Sequence, residues 1–550
     1  MSSQPISQSG EIEDVVDTTH DSDGPEESEE GVEVQEIDAD APSSSNKKKK
    51  KKKRSKFHKV LDALSGKSEE IPQEIVDKVL EKVKADGGEG SEHADQATVR
   101  QALEQMRIMD VVKGKAGIGG VNAKQMGEHK FWATQPVPQL GEGPPLEDGY
   151  IEPSKPREEV RQDPYLLPND FTWTTIDVND PAQSKEVYDL LSLNYVEDDD
   201  ATFRFNYSAQ FLEWALKPPG YHKEWHIGVR VKANQKLVAF ISGVPMTLCV
   251  RNHQFVVAEI NYLCVHKKLR SRRLAPVLIK EVTRQVHLKG IFQAIYTGGV
   301  IIPTPVSTCQ YYHRSLNVAK LVDVKFSFVP RNTTLARMIK GNKLPDQLRL
   351  PGVREMEEKD VPSVTTLLSR YLERFDMKPI FTQEEVAHQF LIGRGSSESG
   401  YTNSWRREGQ VTWTYVVEHP ETKNITDFFS FYSLPSTIIN NAKYPTLEAA
   451  YLYYYATDSA FLPGSDEDGI LKRRLQELIG DALLVAKKAQ FDVFNALTIM
   501  DNVPILNDLK FGKGDGLLNF YLYNWRTAPL AGVKDIGNVP PGRGVGVVMV

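Results

Sequence analysis

Residues 255–290 predict a strand, a basic loop and a helix in direct succession. Residues 255–265, FVVAEINYLCV, are mostly apolar and β-branched, which favours a buried strand. Residues 266–273, HKKLRSRR, form a cationic loop. Pro276 suits the first turn of the following helix and Gly290 suits its end. Four apolar residues recur there at helical spacing: Leu278, Ile279, Val282 and Val286.

This strand, loop and helix also predict a binding site for a phosphorylated ligand. The helix N-terminus offers free backbone N–H groups and a favourable dipole to an anion. The loop adds positive charge from Lys267, Lys268, Arg270, Arg272 and Arg273. A basic run alone would indicate a solvated surface or a localisation signal, but its position before a helix favours a pyrophosphate site. The motifs GxxxxGK[ST] and GxGxxG are absent from the sequence, so the ligand is a phosphorylated carrier of another kind.

The chain has 550 residues, more than one hydrophobic core usually supports, so two domains or a duplicated one are expected. Residues 180–216 and 361–391 resemble each other, because each has an apolar helix, a linker and a second helix. They suggest a degenerate internal duplication with halves of about two hundred residues. Strand-like runs alternate with helical periodicity from about Gln101 onward, which predicts a mixed α/β body.

The first hundred residues have the composition of a disordered tail, rich in Ser, Glu, Asp, Gly and Lys. Residues 1–46 carry fourteen Asp or Glu and no Lys or Arg, and a basic cluster follows. The run Lys47 to Arg54 is either a solvated arm or an electrostatic attachment to RNA, ribosomes or an anionic membrane. The remainder is nearly neutral, which excludes a general nucleic-acid binder.

The sequence predicts a cytoplasmic protein. It contains no run of roughly 18 apolar residues that could span a membrane, and its start lacks the layout of a signal peptide. Its three cysteines, Cys249, Cys264 and Cys309, follow no CxxC or Cys/His spacing, which argues against a disulfide framework or a zinc site. They are expected to be buried small hydrophobes.

Two long stretches resemble a known family. Residues 259–284, EINYLCVHKKLRSRRLAPVLIKEVTR, closely resemble the signature of the N-myristoyltransferases, and RSRRLA resembles the pyrophosphate loop of the wider GNAT acyltransferase fold. Residues 510–525, KFGKGDGLLNFYLYNW, resemble the family's other signature. The resemblance runs from about His129 to the last residue and implies a member of the fungal type.

The resemblance implies a tandem duplicated GNAT-like α/β fold, with a mixed twisted sheet flanked by helices behind a disordered tail. Its N-terminal half, residues 101–335, would bind myristoyl-CoA. Its C-terminal half, residues 336–550, would supply most of the peptide groove and the terminal carboxylate. A monomer without a metal or a permanently bound cofactor is expected.

The implied reaction moves myristate from the co-substrate myristoyl-CoA to the N-terminal glycine of proteins that read M-G-x-x-x-[ST] before Met removal. The acceptor α-amine attacks the thioester directly, so no side-chain nucleophile is required. By resemblance, the backbone amides of Tyr262 and Leu263 form the oxyanion hole and the carboxylate of Val550 is the base. The strand should bulge locally so that these amides leave the ladder.

The resemblance also implies the residues that contact each substrate. Those on the carrier side are His129, Lys130, Phe131, Trp132, Leu263, Cys264, Val265, Ser271, Arg272, Arg273, Leu274 and Ala275. Those of the acceptor groove are Tyr195, Asp198, Asp200, Phe203, Phe205, Tyr207, Asn261, Thr297, Tyr311, His313, Ser436, Tyr451, Asn495, Gly514 and Asp515.

Three features among the implied acceptor residues can also be interpreted from the sequence itself. The acids around Asp198 would attract a basic peptide, because adjacent acids rarely converge on one metal ion. His313 is either a ligand residue or a satisfied core histidine. The motif GKGDG, residues 512–516, precedes a strand rather than a helix, which predicts a turn with one functional acid, Asp515.

Two other functions remain open from the sequence. In the first, a ribosome- or RNA-associated binding module uses the Lys47 to Arg54 arm and the α/β body is an adaptor. In the second, a GNAT-type enzyme transfers acetyl groups to lysine, and its apolar pocket would be too short for 14 carbons.

Overall fold

The structure is a computed structural model that describes residues 130–139, 142–196, 202–396, 400–532 and 543–550. The predicted tail with Lys47 to Arg54 lies outside these residues, as do His129, Asp198 and Asp200. The helices are α1 (Pro181–Asn194), α2 (Ala209–Leu216), α3 (Leu274–His287), α4 (Val318–Asp323), α5 (Leu335–Gly341), α6 (Val361–Leu372), α7 (Gln383–Leu391), α8 (Ile470–Lys488) and α9 (Val503–Leu506). Short 3₁₀ helices lie at Trp132–Thr134, Arg157–Glu159, Lys223–Trp225, Lys267–Arg272, Glu358–Asp360, Ile392–Arg394 and Asp458–Phe461.

The strands of the described residues form one large mixed sheet and two small ones. They are β1 (Phe171–Thr175), β2 (Phe203–Phe205), β3 (Ile227–Val231), β4 (Leu237–Val250), β5 (His253–Val265), β6 (Ala294–Gly298), β7 (Ser307–Ser315), β8 (Val353–Glu355), β9 (Met377–Pro379), β10 (Tyr401–Asn403), β11 (Arg406–Arg407), β12 (Thr412–Glu418), β13 (Ile425–Ser433), β14 (Ser436–Ile438), β15 (Thr446–Leu447), β16 (Ala449–Thr457), β17 (Val493–Leu497) and β18 (Gly512–Tyr523). The large sheet has the order β1-β3-β4-β5-β6-β18-β7-β17-β16-β13-β12-β8, with β9 on β4. The predicted mixed sheet flanked by helices is confirmed.

One order of elements occurs twice along the chain. It is β1-α1-β2-α2-β3-β4-β5-α3-β6 in the first copy and β8-α6-β9-α7-β12-β13-β16-α8-β17 in the second, which also carries the short strands β10, β11, β14 and β15. The last two strands of each copy pair in parallel, whereas their other neighbours within the copy are antiparallel. The topology therefore contains the internal duplication that the sequence suggests.

The two copies exchange short strands and meet at the centre of the sheet. In the small sheet β15-β14-β2, Phe205 of the first copy pairs with Ser436 of the second. Conversely, Pro379 on β9 of the second copy pairs with Leu248 on β4 of the first. The strands β18 and β7 lie between β6 and β17 and join the copies. Backbone pairing thus links the copies at three separate places.

The predicted strand and helix of residues 255–290 are confirmed as β5 and α3. Leu278, Val282 and Val286 on α3 are buried in one apolar cluster with residues of β3, β4 and β5. Gly290 follows the helix with φ of +79°, a left-handed conformation that glycine adopts without steric cost, and its N–H donates to the carbonyl of His287 (2.8 Å). The helix therefore stops where the sequence predicts.

Of the three cysteines, Cys264 and Cys309 are buried as predicted, whereas Cys249 is half-buried. None of the helices in the described part of the chain is long and apolar enough to cross a bilayer.

Candidate active site

Strand β5 bulges at Tyr262, as the family resemblance implies. Cys264 pairs with Phe240 and Asn261 pairs with Ser242, so two residues of β5 lie opposite one residue of β4. The first of the two, Tyr262, has φ of +56° in the left-handed region, which is uncommon for a residue with a side chain. A bulge of this kind leaves an extra residue unpaired and redirects its peptide groups. The backbone at Tyr262 and Leu263 is thereby turned out of the β4–β5 ladder.

Buried and half-buried tyrosines surround this bulge. The ring centroid of Tyr262 lies 5.3 Å from that of Tyr207 and 6.3 Å from that of Tyr195. Tyr451 stacks on Tyr432 at 5.3 Å with an interplanar angle of 11°. Burial raises the pKa of each of these five phenols well above its usual value. The wall is therefore uncharged but rich in hydroxyl groups.

The last residues of the chain reach the same wall. Tyr262 Oη lies 3.5 Å from a terminal oxygen of Val550. The backbone N–H of Val548 donates to Tyr454 Oη (2.9 Å), and that of Gly546 donates to the carbonyl of Met377 (2.7 Å). Residues 545–549 are all buried. The terminal carboxylate is thus held beside the bulge by a packed and hydrogen-bonded segment.

Arg543 anchors the start of this terminal segment. Its guanidinium group lies 3.4 Å from the carboxylate of Asp501 and also hydrogen-bonds the carboxylate of Asp466 (2.5 Å). Both carboxylates are shared with Arg374, whose Nε lies 3.1 Å from Asp501. An ion-pair network in which several charges share partners holds its members more firmly than an isolated surface pair.

A carboxylate stands at the edge of the wall, and the sequence reasoning missed it. Asn261 Nδ2 donates a hydrogen bond to Glu259 Oε1 (2.8 Å). Burial raises the pKa of Glu259 to about 7, and this hydrogen bond acts in the opposite direction. The available signal was the position of one acid in an otherwise apolar strand, FVVAEINYLCV.

Three of the predicted acceptor residues form a row across neighbouring strands. Tyr451 on β16 is opposite Asn495 on β17, and Asn495 is opposite His313 on β7. Asn495 Oδ1 lies 2.7 Å from His313 Nδ1, and its side chain also hydrogen-bonds the Tyr451 phenol. Burial lowers the pKa of His313, with Asn495 and Asp515 opposing the shift. His313 is therefore a neutral ring held by an amide.

Gly514 closes over this histidine. A Cβ atom at Gly514 would lie 2.8 Å from His313 Cδ2, closer still to His313 Nε2, and 3.0 Å from the carbonyl oxygen of Tyr311. Real Cβ atoms essentially never approach other atoms this closely, so only glycine fits without a shift of the ring.

The turn predicted at GKGDG is wrong, because residues 512–516 lie within β18. The register jumps between Lys513 and Leu517, where the strand takes extra residues. Gln310 Nε2 donates to the carbonyls of Gly514 (2.7 Å) and Gly516 (2.9 Å). This side chain satisfies the acceptors that the irregular pairing leaves, so the segment is an irregular strand rather than a turn.

The cationic loop is shaped to leave a helix N-terminus open. Residues Lys267–Arg272 form a 3₁₀ helix, and Arg273 has φ of +54° with no side-chain cap on α3. Arg272 and Arg273 are exposed. Asn194, the last residue of α1, ties the loop down: its carbonyl accepts from Arg270 Nη2 (2.6 Å) and its Oδ1 accepts from the Lys267 N–H (3.1 Å). Uncapped amides beside free arginines are suited to an anion.

Aromatic residues hold the other predicted carrier segment. Trp132 stacks on Tyr296 at 5.6 Å, and Tyr296 stacks on Tyr521 at 5.1 Å. Phe131 packs edge-on against Trp132 (5.1 Å), while Lys130 is exposed. Leu263 and Val265 pack in the α3 cluster, Leu274 is buried and Ala275 half-buried. Burial raises the pKa of Cys264 to about 12, so it stays a thiol and is not an activated nucleophile.

The remaining described acceptor residues lie in three places. Phe205 on β2 pairs with the buried Ser436 on β14. Thr297 on β6 lies opposite Phe520 on β18, at the centre of the large sheet. Phe203 belongs to a separate apolar cluster, where its ring meets Phe326 at 5.8 Å, although Tyr451 also packs there. Among the described residues, no three His, Cys, Asp or Glu side chains are grouped to hold a metal ion.

A redirected strand backbone, an uncapped helix N-terminus beside exposed arginines and a neutral wall of tyrosine hydroxyls are features suited to acyl transfer. The family described as myristoyl-CoA:protein N-myristoyltransferase matches the chain with its N-terminal domain over residues 150–309 and its C-terminal domain over residues 323–548. This chain belongs to that family, and it is an acyltransferase.

Individual relatives agree with the family assignment. The glycylpeptide N-tetradecanoyltransferase of Emericella nidulans is 53% identical over 460 residues, which cover 82% of this chain and 90% of the relative. The Saccharomyces cerevisiae protein of the same name is 50% identical over 433 residues, covering 78% and 93%. The crystal structure of S. cerevisiae N-myristoyltransferase with bound myristoyl-CoA matches with a TM-score of 0.72 at 49% identity, over 78% of this chain and 100% of that one.

Proposed function

We propose that this chain transfers the myristoyl group from myristoyl-CoA to the N-terminal glycine amine of acceptor proteins. The amine nitrogen attacks the thioester carbonyl carbon, a C–N bond forms, and the C–S bond to coenzyme A breaks. The amine loses one proton, which ends on the released thiol. The observation that carries the proposal is the approach of the chain's last residue, Val550, to the bulge at Tyr262.

The backbone amides of Tyr262 and Leu263 are the proposed oxyanion hole. The support is the left-handed Tyr262, which lies with Leu263 outside the β4–β5 register. Preorganised donors of this kind are worth about 2.7–4 kcal/mol each in other acyl-transfer enzymes. The amides belong to the main chain, so the Tyr262 side chain is free to serve as part of the wall.

The carboxylate of Val550 is the proposed base. A free carboxylate is a weak base beside an α-amine whose reference pKa is about 7.7–8.0, so placement has to compensate. The packing of residues 545–549 and the bond from Val548 to Tyr454 support such placement. Burial raises the pKa of the Tyr262 phenol, so the ring that lies beside Val550 is neutral.

Myristoyl-CoA is the proposed carrier, with its pyrophosphate at the N-terminus of α3. The uncapped Leu274 and Ala275 and the exposed Arg272 and Arg273 support this. Burial of a 14-carbon chain supplies on the order of 10 kcal/mol before ordering costs. We also propose that His129 and the segment Lys130 to Trp132 contact coenzyme A.

The acceptor groove is proposed to follow the row Tyr451, Asn495 and His313. The closure of Gly514 over His313 favours a narrow passage, which suits an acceptor that starts with glycine. Asp198 and Asp200 would attract a basic peptide. Residues 101–335 are proposed as the carrier half and residues 336–550 as the acceptor half.

Three further proposals concern the whole protein. It would act as a monomer in the cytoplasm. The run Lys47 to Arg54 would contact ribosomes or another anionic surface.

Acyl transfer from radiolabelled myristoyl-CoA to two octapeptides tests the proposal. One peptide starts Gly-x-x-x-Ser and the other has alanine in place of the glycine. Label on the glycine peptide alone is the expected result. Label on neither peptide, with myristoyl-CoA bound, would overturn it. Label on an internal lysine would instead favour a lysine acyltransferase.

A further inference from the structure

Glu259 is a buried carboxylate that the proposed reaction does not use. It lies on β5 three residues before Tyr262 and retains 8% of its surface exposed. Its hydrogen-bond donor is Asn261 Nδ2, at 2.8 Å. A buried carboxylate costs free energy unless its charge is stabilised, so an acid in this strand calls for an explanation.

We infer that Glu259 is a positioning residue that sets the orientation of the Asn261 side-chain amide toward the acceptor amine. The inference rests on the proposed function and takes Asn261 as one of the acceptor-groove residues that the family resemblance implies. It is carried by the direct bond between the two side chains and by their place on the strand that bulges at Tyr262.

The groups around Glu259 leave it free to titrate by itself. Its register partners on β4 and β6 are the apolar residues Val244 and Ile295. The titratable groups that face it are the phenols of Tyr262 on β5 and of Tyr453 and Tyr454 on β16. Burial raises the pKa of all three, so they stay neutral.

No cation among the described residues shifts the pKa of Glu259. Burial raises that pKa to about 7, and the Asn261 hydrogen bond opposes the shift. Val550 places its terminal oxygen beside the Tyr262 hydroxyl. Because its pKa is about 7, Glu259 changes charge near neutral pH.

The two protonation states orient Asn261 differently. Ionised Glu259 can only accept, so it holds Nδ2 of Asn261 and leaves Oδ1 to accept from an amine N–H. Protonated Glu259 can donate to Oδ1, which permits the amide to turn and present Nδ2. Two donors then face each other, and the amine loses its partner.

The experiment compares kcat/KM for the glycine octapeptide between native enzyme and Glu259→Gln from pH 6 to pH 8.5. At pH 8 we expect a loss on the order of tenfold, because a neutral glutamine no longer fixes the amide. The ratio of the native kcat/KM to that of the variant should fall toward one at pH 6, where Glu259 is itself neutral. The amine's own titration cancels because both enzymes use one peptide. Glu421→Gln, at an exposed acid, should match native enzyme at every pH.

A second variant separates positioning from other roles. For Asn261→Ala, the native-to-variant ratio of kcat/KM should fall toward one at pH 6 in the same way. Adding Glu259→Gln to Asn261→Ala should not lower kcat/KM further. Myristoyl-CoA affinity measured by calorimetry should equal that of native enzyme in each variant, which also reports folding. If Glu259→Gln fails to fold, the pH dependence of the kcat/KM ratio for Asn261→Ala alone tests the inference.

The outcomes distinguish this inference from the proposed function. A ratio that does not change with pH, or additive losses in the double variant, would overturn the role of Glu259 while the reaction stands. If native enzyme labels no glycine peptide, the proposed function itself fails.

Discussion

Gly514→Ala is expected to destabilise the protein by about 2–4 kcal/mol and to weaken acceptor binding. The added Cβ would lie 2.8 Å from His313 Cδ2 and 3.0 Å from the Tyr311 carbonyl oxygen. The Tyr311 carbonyl belongs to the backbone of β7 and cannot move away as a side chain can. Overpacking of a tight site costs about 1–3 kcal/mol. Displacement of the ring also stretches the 2.7 Å contact between His313 and Asn495, which adds about 1 kcal/mol.

Gly516→Ala is the matched control for this change. Its Cβ would meet only Tyr311 Cδ2 at 3.4 Å, an ordinary van der Waals contact, so little change is expected. Both glycines lie in the irregular part of β18, and both carbonyls accept from Gln310. The pair therefore differs chiefly in what the new methyl group meets.

The assay is urea unfolding together with steady-state kinetics on the glycine octapeptide. Gly514→Ala should lower the unfolding midpoint and raise the peptide KM, while myristoyl-CoA affinity is unchanged. Adding His313→Ala should relieve the clash, so the double variant should be more stable than additivity predicts. Equal stability and KM for the two alanine variants would refute the reasoning.

Two glycines added after Val550 should abolish most turnover but spare myristoyl-CoA affinity, because they move the proposed base and not the carrier site; single-turnover rates and calorimetry check this. Replacing Arg272 and Arg273 by alanine should weaken myristoyl-CoA binding and flatten its salt dependence, measured as dissociation constants at several ionic strengths. Glu259→Gln should be more stable than native protein by on the order of 3 kcal/mol at pH 8 and equal to it near pH 4. The pKa of Glu259 is raised in the folded state to about 7, so its contribution favours folding at low pH and is lost as pH rises through that value. Unfolding midpoints of both proteins across this range decide it.

Local structure was the part of this molecule that the sequence predicted well. The strand over residues 255–265 and the helix that ends before Gly290 follow from side-chain periodicity and a glycine stop, which are local properties. The bulge at Tyr262 came from the family resemblance, because nothing in EINYLCV requires a left-handed residue. The GKGDG segment misled, since Gln310 on another strand supplies the hydrogen bonds that keep it in β18.

Long-range placement was out of reach for the same reason. The ring of His313 is governed by Asn495 and Gly514, which are about two hundred residues away in sequence and come near only through β7, β17 and β18. Glu259 looked like a polar interruption of a strand. Its meaning depends on the burial that β4, β6 and β16 impose, and no sequence window contains those strands.

The duplicated topology explains why the site needs both copies. The first copy supplies β5 with the Tyr262 bulge and the open N-terminus of α3, which face the carrier in the proposed reaction. The second supplies Tyr451, Asn495 and the Tyr454 hydroxyl that holds Val548. Because β18 and β7 join the copies, a shift between them would move the terminal carboxylate relative to the bulge. The Arg543 network and the exchanged strands β2 and β9 oppose such a shift. Substitutions in the network or in these strands should therefore lower turnover more than they lower carrier affinity.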